Sequence, residues 1–185
     1  MSAFMSELLI FLVGLMQAWS PTTPSDLARY EAIAQDAINV SREKDWLGLP
    51  SSQAAVTILA IASFESNFRH DVDKGFVRGD GGRSVCLGQV QAPKHLRELV
   101  AKDRKLCFRM MLTKIDQSWN MCYKLPFNER LSGYTVGKCV RARSSRIYTK
   151  RIMQGIDGVM HYDDPDFPFD EPGAPGSIQL LGNPE

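Results

Sequence analysis

The sequence lacks most of the short signatures that would name a chemistry at once. Its four cysteines contain no Cys-x-x-Cys pair, and its three histidines (His70, His95, His161) share no ligand spacing, which argues against zinc. Asp71-Val72-Asp73 opens like a calcium loop, but the twelfth position of that frame is Gly82 rather than Glu. There is no phosphate-cradling Gly-rich loop and no Gly-x-Ser-x-Gly elbow. No metal and no cofactor is therefore expected. An excess of one charge is also missing: 22 Lys and Arg meet 21 Asp and Glu, which argues against a general nucleic-acid coat. With 14 Gly and 10 Pro in 185 residues and no internal repeat, the chain is neither fibrous nor wholly disordered. One domain with appendages fits this length and can bury its own core.

Two local absences divide the chain. No Lys or Arg occurs between Asp163 and Glu185, where six acidic residues and five of the ten prolines fall. Residues 163–185 read as an extended acidic tail, because such sequence propagates neither helix nor central strand. Residues 1–162 then carry 22 basic and 15 acidic side chains, a basic body. At the other end, no Lys or Arg precedes the twelve-residue apolar run from Leu8 to Trp19, and Glu7 sits where an export signal carries positive charge. As a helix the run spans about 18 Å, short of a bilayer core of about 30 Å. Three readings of residues 1–24 stay open: an export signal, a helix docked on a core or partner, and a membrane-associating segment, each followed by a Pro-containing linker.

Between these ends, residues 25–162 read as one mainly helical domain. Apolar residues at helical spacing predict helices over 25–44 and 53–67, separated by the breaker Gly48-Leu49-Pro50. A Gly- and Asp-rich stretch follows, with two candidate strands at 75–78 and 84–91. Helix is expected again from Pro93, with breaks near Lys105, Leu125-Pro126 and Ser132-Gly133, and a last helix over 141–160. The second helix carries the sharpest clue. Ala54, Ile58, Ile61 and Glu65 share one stripe, so a carboxyl lies on the apolar face near a helix C-terminus. Burial and the helix dipole both push such a group toward its protonated form, as a general acid requires. The plainer reading is a solvent-facing Glu65 at a frayed end, or one paired with Arg69.

Phe64-Glu65-Ser66, preceded by an Ala- and Ile-rich helix, resembles the Glu-Ser motif of lytic transglycosylases of the lysozyme superfamily. Gly79 to Val90 resembles their second motif, Leu131 to Gly137 the third, and Arg146-Ile147-Tyr148 the closing Tyr segment; together these cover residues 50–155. Cys86 stands where the second motif usually has Gly, Gly133 where the third usually has Ala, and Thr135 where it has Asn. The resemblance implies a mainly α (α+β, lysozyme-like) fold with a small irregular β element after the catalytic helix. It implies cleavage of the β-1,4 bond between N-acetylmuramic acid and N-acetylglucosamine in peptidoglycan, with a 1,6-anhydro product and Glu65 as the single acid and base. By the same resemblance Ser66 holds the Glu or a sugar oxygen. Gln89, or Gln91 in the alternative register, offers an amide to the substrate, and Tyr134 and Tyr148 line the cleft, Tyr134 with its hydroxyl toward the acid. Asp71, Asp73 and Asp80 are candidate bases for a hydrolytic, goose-lysozyme-like alternative. A third reading is a lysozyme-like structural component without activity. The implied location is the periplasm or cell envelope, or a virion. The implied partners are peptidoglycan strands and a phage particle or a secretion or conjugation assembly, met through the N-terminal segment or the acidic tail.

Four cysteines (Cys86, Cys107, Cys122, Cys139) suit two disulfides in an exported chain. A straight helix over 107–122 would hold its ends about 22 Å apart and send both outward, to Cys86 and Cys139. A break there would permit Cys107–Cys122 instead, and four reduced thiols are the bland alternative. Lys138, Arg141, Arg143, Arg146, Lys150 and Arg151 form a run of six basic residues without an acid. A solvated face, or one drawn to an anionic wall, is favoured over nucleic-acid binding.

Overall fold

Ser51–Ser66 forms a helix (α3) with no polar face, and every residue from Ser51 to Ser63 is buried. A helix without a polar face needs covering on all sides, and four other helices supply it: α1 (Ala3–Trp19), α2 (Leu27–Ser41), α6 (Arg104–Met121) and α8 (Arg143–Val159). The computed structural model describes residues 3–159; the acidic tail expected over 163–185 lies outside them. Among the described residues the chain is mainly helical, with shorter helices α4 (His70–Asp73), α5 (Arg97–Lys102) and α7 (Ser132–Val136) and one two-stranded antiparallel element. In that element β1 (Ser84–Val85) pairs with β2 (Val90–Gln91) in the register Ser84 to Gln91 and Val85 to Val90.

The surrounding helices each turn an apolar stripe inward at the spacing their sequence dictates. α1 buries Leu8, Leu12 and Met16, and α2 buries Tyr30, Ile33, Ala34, Ala37 and Ile38. α8 buries Thr149, Ile152, Ile156 and Val159. Close approach of α8 to α3 requires Gly155, since a Cβ there would lie 2.5 Å from Cγ1 of Val56. Leu8, Leu12 and Met16 of α1 therefore pack into the same core as the helices that follow. Ser20 fastens the junction: its Oγ donates to the Asn67 carbonyl (3.0 Å), and its own carbonyl accepts from the Tyr30 hydroxyl (2.8 Å).

α3 stops abruptly. Asn67 (φ 51°) and Phe68 (φ 50°) both take left-handed backbone, which costs roughly 1–2 kcal/mol for a residue with a Cβ. Asn67 is a familiar helix terminator, whereas Phe68 is held by packing. Its ring is buried edge-on against Tyr30 at 5.4 Å, and its carbonyl accepts from Arg29 Nη1 at 2.8 Å. The segment that follows is pinned by ion pairs: Arg104 donates to both carboxylate oxygens of Asp73 at 2.9 Å and to Asp36 at 2.6 Å.

Several expected boundaries move. No strand forms over 75–78, where the chain turns irregularly at Gly75 and Phe76. The strand expected over 84–91 is a hairpin folded at its middle. The break expected near Lys105 falls at Asp103, whose carboxylate caps α6 by accepting from the Leu106 amide. Ser132-Gly133, expected as a break, opens α7 instead.

Because Leu12 is fully buried, Leu12→Ala is expected to cost about 2–5 kcal/mol in urea unfolding. Ile10→Ala, at a position 69% exposed on the same helix, is expected to change stability by less than about 0.5 kcal/mol.

Candidate functional site

Glu65 lies in the last turn of α3 and lines a cavity of about 690 Å³. One wall is the Asp80 turn with the β1–β2 hairpin, contributing Asp80, Ser84, Gln89 and Gln91. The floor is α6, with Lys114, Gln117, Ser118 and Met121, and the opposite wall is the stretch from Gly133 to Gly137. The small residue at 133 lets α7 close on the floor, since a Cβ there would sit 2.6 Å from Met121 Cε and 3.2 Å from Ser118 Cα.

The Glu65 carboxyl is pushed up from the usual 4.5 to about 7. Burial is the main cause; a hydrogen bond from Tyr148 opposes it, and the nearby charge of Asp80 adds to it. The Tyr148 hydroxyl donates to Glu65 Oε1 at 2.9 Å. Its ring stacks on Phe64 at 4.9 Å, with the planes only 6° apart. On Phe64 lies the Arg151 guanidinium, 3.7 Å from the ring centroid, and Trp19 of α1 stands 5.7 Å from the same guanidinium. Arg151 also donates to Ser63 Oγ at 2.7 Å. A continuous stack thus runs from α1 to the acid.

Asp80 behaves in the opposite way. It is exposed, and hydrogen bonds from Ser84 and then Gln91 hold its carboxyl below the ordinary range. The cavity therefore contains one carboxyl kept protonated near neutrality and one kept ionised, the separation that acid and base roles require. The other two candidate bases are engaged elsewhere. Asp71 pairs with Arg69, and the Asp73 side chain is buried against Arg104. Arg69 accordingly does not pair with Glu65.

The hairpin turn is held under backbone constraint. Cys86 (φ 62°) and Gln89 (φ 46°) are both left-handed, and the Gln89 amide donates to the Cys86 carbonyl at 3.0 Å. The unusual Cys in a conformation that suits Gly is secured by its disulfide to Cys107 on α6. Gln89 Nε2 donates to the Cys86 carbonyl at 3.1 Å, and its side chain lies against Gly79, where a Cβ would be 2.3 Å from Gln89 Oε1. The second disulfide, Cys122–Cys139, ties the segment after α7 to the far end of α6. α6 is unbroken from Arg104 to Met121, so the straight-helix pairing is the one formed. Two disulfides are consistent with a location outside the cytoplasm.

The structure brings Glu65, Gln89, Gln91 and Tyr134 to the cavity and sets Tyr148 on the acid. Two roles differ from expectation. Ser66 is buried, and its hydroxyl donates to the Ala62 carbonyl at 2.9 Å, the usual back-bond of a helical Ser, so it faces its own helix rather than the cleft. The Tyr134 hydroxyl donates to the buried Gly88 carbonyl at 2.8 Å, leaving Tyr148 as the donor to Glu65. Lys114 and Gln117 escaped sequence reading, and Phe64 and Arg151, which appeared there only within a motif and a basic run, were given no place at the site. The α6 pair sits one turn apart on a helix whose cleft-facing side no local pattern marks, and the Arg151 stack exists only through tertiary packing. Among the described residues, no group of His, Cys, Asp and Glu is arranged to hold a metal ion, and no helix is long and apolar enough to cross a membrane.

Three measurements follow from these constraints. Removing the donor from the carboxylate, Tyr148→Phe is expected to raise the Glu65 titration above 7 by roughly one pH unit, as read by carboxyl-carbon NMR. Burying Glu65 also costs stability. Below pH 4.5 both folded and unfolded chains are protonated there, and as pH rises toward 7 the unfolded chain loses its proton first, so stability falls. Glu65→Gln is expected to match wild type near pH 4 and to exceed it by about 2–3 kcal/mol above pH 8 in urea unfolding. Replacing Cys86 and Cys107 together by Ala is expected to cost about 3 kcal/mol in the same assay.

Comparison of the chain with protein-family models, with curated proteins and with solved structures finds no match in any of the three.

Proposed function

We propose that this chain is a lysozyme-like enzyme that cuts peptidoglycan glycan strands at the N-acetylmuramic acid to N-acetylglucosamine bond, as a lytic transglycosylase. The observation that carries the reading is Glu65, a carboxyl held protonated near neutral pH in the wall of a cleft of about 690 Å³. Tyr148 occupies Oε1, which leaves Oε2 to carry the proton toward the glycosidic oxygen. Transfer of that proton releases the leaving sugar and develops positive charge at C1. The Tyr148 hydroxyl then stabilises the new carboxylate, which takes the proton of the C6 hydroxyl as that oxygen closes on C1. Glu65 ends as it began, and the product is a 1,6-anhydro sugar. Gln89, Gln91 and Gln117 offer amides to N-acetyl and hydroxyl groups along the cleft.

Asp80 favours a second reading. An ionised carboxylate in the same cavity as a protonated one suits activation of water, and the product would then be a reducing end. The two disulfides support action in the periplasm, in the cell envelope or on a virion. Service to a phage particle or to a secretion or conjugation assembly belongs to the same proposal.

The test is a cell-wall zymogram followed by mass spectrometry of the digest. Wild type is expected to clear the wall and Glu65→Gln to lose at least about a hundredfold in rate, with activity falling as pH rises through about 7. Anhydro-muropeptides support the transglycosylase and reducing ends the Asp80-assisted hydrolase. Equal clearing by Glu65→Gln would remove Glu65 as the acid, and no clearing by wild type at any pH would favour an inactive structural component.

A further inference from the structure

Beside the Glu65 cavity lies a second groove of about 510 Å³, and the two share Gln91, Lys114 and Gln117 as common walls. The second groove is lined by four cations, Arg83, Arg97, Arg109 and Lys114, and by no carboxylate. They come from three places in the fold: the turn before β1, helix α5 and helix α6. Of these four, only Arg109 forms a salt bridge among the described residues, to Glu43, while Arg83 lies near enough to Asp80 to help keep that carboxyl ionised. Arg83 and Arg97 are each oriented by their Nε, which donates to the carbonyls of Asp80 (3.1 Å) and Ala92 (3.0 Å). Arg97 and Lys114 have no ion-pair partner among the described residues. The rest of the lining is small or apolar, with Ala92, Pro93, Met110 and Thr113.

Like charges gathered in a groove repel one another, and an anion relieves this by supplying the missing countercharge. A neutral sugar does not. Guanidinium groups anchored through Nε present their Nη atoms as a planar fork, which matches a carboxylate with two parallel hydrogen bonds. The lining carries no aromatic platform for bases, which sets nucleic acid aside. Because the walls are shared, a ligand in this groove is continuous with one lying over Glu65.

We infer that the groove is a subsite for carboxylate-bearing side groups of the strand cleaved at Glu65, which for peptidoglycan means the acidic peptide attached to each muramic residue. The inference rests on the glycan-cleaving reading above, and it makes the preferred substrate a peptide-substituted strand rather than bare glycan. Arg83 and Arg97 line this groove and not the Glu65 cavity, so they separate the two sites.

The experiment is calorimetric binding to full-length Glu65→Gln protein, which prevents turnover. The probes are a disaccharide-tetrapeptide, the same compound with its carboxyls amidated, the free tetrapeptide, neutral chitotetraose and inorganic phosphate. The acidic disaccharide-tetrapeptide is expected to bind at least tenfold more tightly than its amide. Adding Arg83→Gln or Arg97→Gln is expected to remove most of that preference while chitotetraose affinity stays within twofold, with circular dichroism confirming the fold of each variant. Equal affinity for acid and amide overturns the subsite, as does a preference that survives both substitutions. Phosphate displacing the acidic probe at equal concentration also overturns it, as the mark of a general anion site. Binding of the acidic tetrapeptide, with no binding of chitotetraose, upholds the groove and removes the glycan-cleaving reading.

Discussion

The desolvation of one carboxyl organises this molecule. α3 has no polar face, so the other helices are arranged to enclose it, and Glu65 is the only ionisable side chain it carries. At the end of such a helix the carboxyl has protein behind it and the cleft in front. Its proton is retained to about pH 7 because the enclosure that stabilises α3 removes the water that would otherwise ionise Glu65. Core packing and acid chemistry are thus the same arrangement seen from two ends of one helix, and the acid is held at a cost in stability.

Backbone constraint gathers around that acid. Among the described residues six non-glycine positions have left-handed φ, and five adjoin it or line the wall facing it: Asn67, Phe68, Asp80, Cys86 and Gln89. Each has a local restraint: burial on Tyr30 for Phe68, the hydrogen bond from Ser20 for Asn67, the bond from Ser84 for Asp80, the disulfide to α6 for Cys86, and the two hydrogen bonds to the Cys86 carbonyl for Gln89. Constrained conformations persist where their surroundings over-determine them. α6 is the common support. It forms the cleft floor, receives one disulfide in its first turns and meets the other at its end.

What the sequence made legible was periodic or local. The apolar stripe of 53–67 marked both α3 and the position of Glu65, because helical spacing alone places a residue on a face. The disulfide pairing was legible only as a condition, since it depended on whether 107–122 formed one straight helix, as α6 does. The roles of the two tyrosines did not follow, since which hydroxyl meets Glu65 depends on how α7 and α8 cross α3. Ser66 does not take the role the resemblance implies, for a local reason: a helical Ser in the last turn has its own i−4 carbonyl within reach. The stretch from Gly75 to Arg78 has a strand's composition but no partner strand to pair with. α1 was ambiguous because its apolar residues fit a signal, an anchor or a core helix equally; the burial of Leu8, Leu12 and Met16 on the common core is a tertiary fact that no local pattern carries.

The stack that begins at Trp19 has a consequence for how this chain is handled. Trp19 closes the first helix, Arg151 bridges it to Phe64, and Tyr148 passes the contact to Glu65. Residues far apart along the chain therefore share one packed column, whose last member, Tyr148, bears on the Glu65 carboxyl through its hydrogen bond. An affinity tag or trimmed start that disturbs the seating of α1 reaches the proton on Glu65 without touching the cleft, so a preparation altered at its beginning can differ in chemistry while its site residues remain intact.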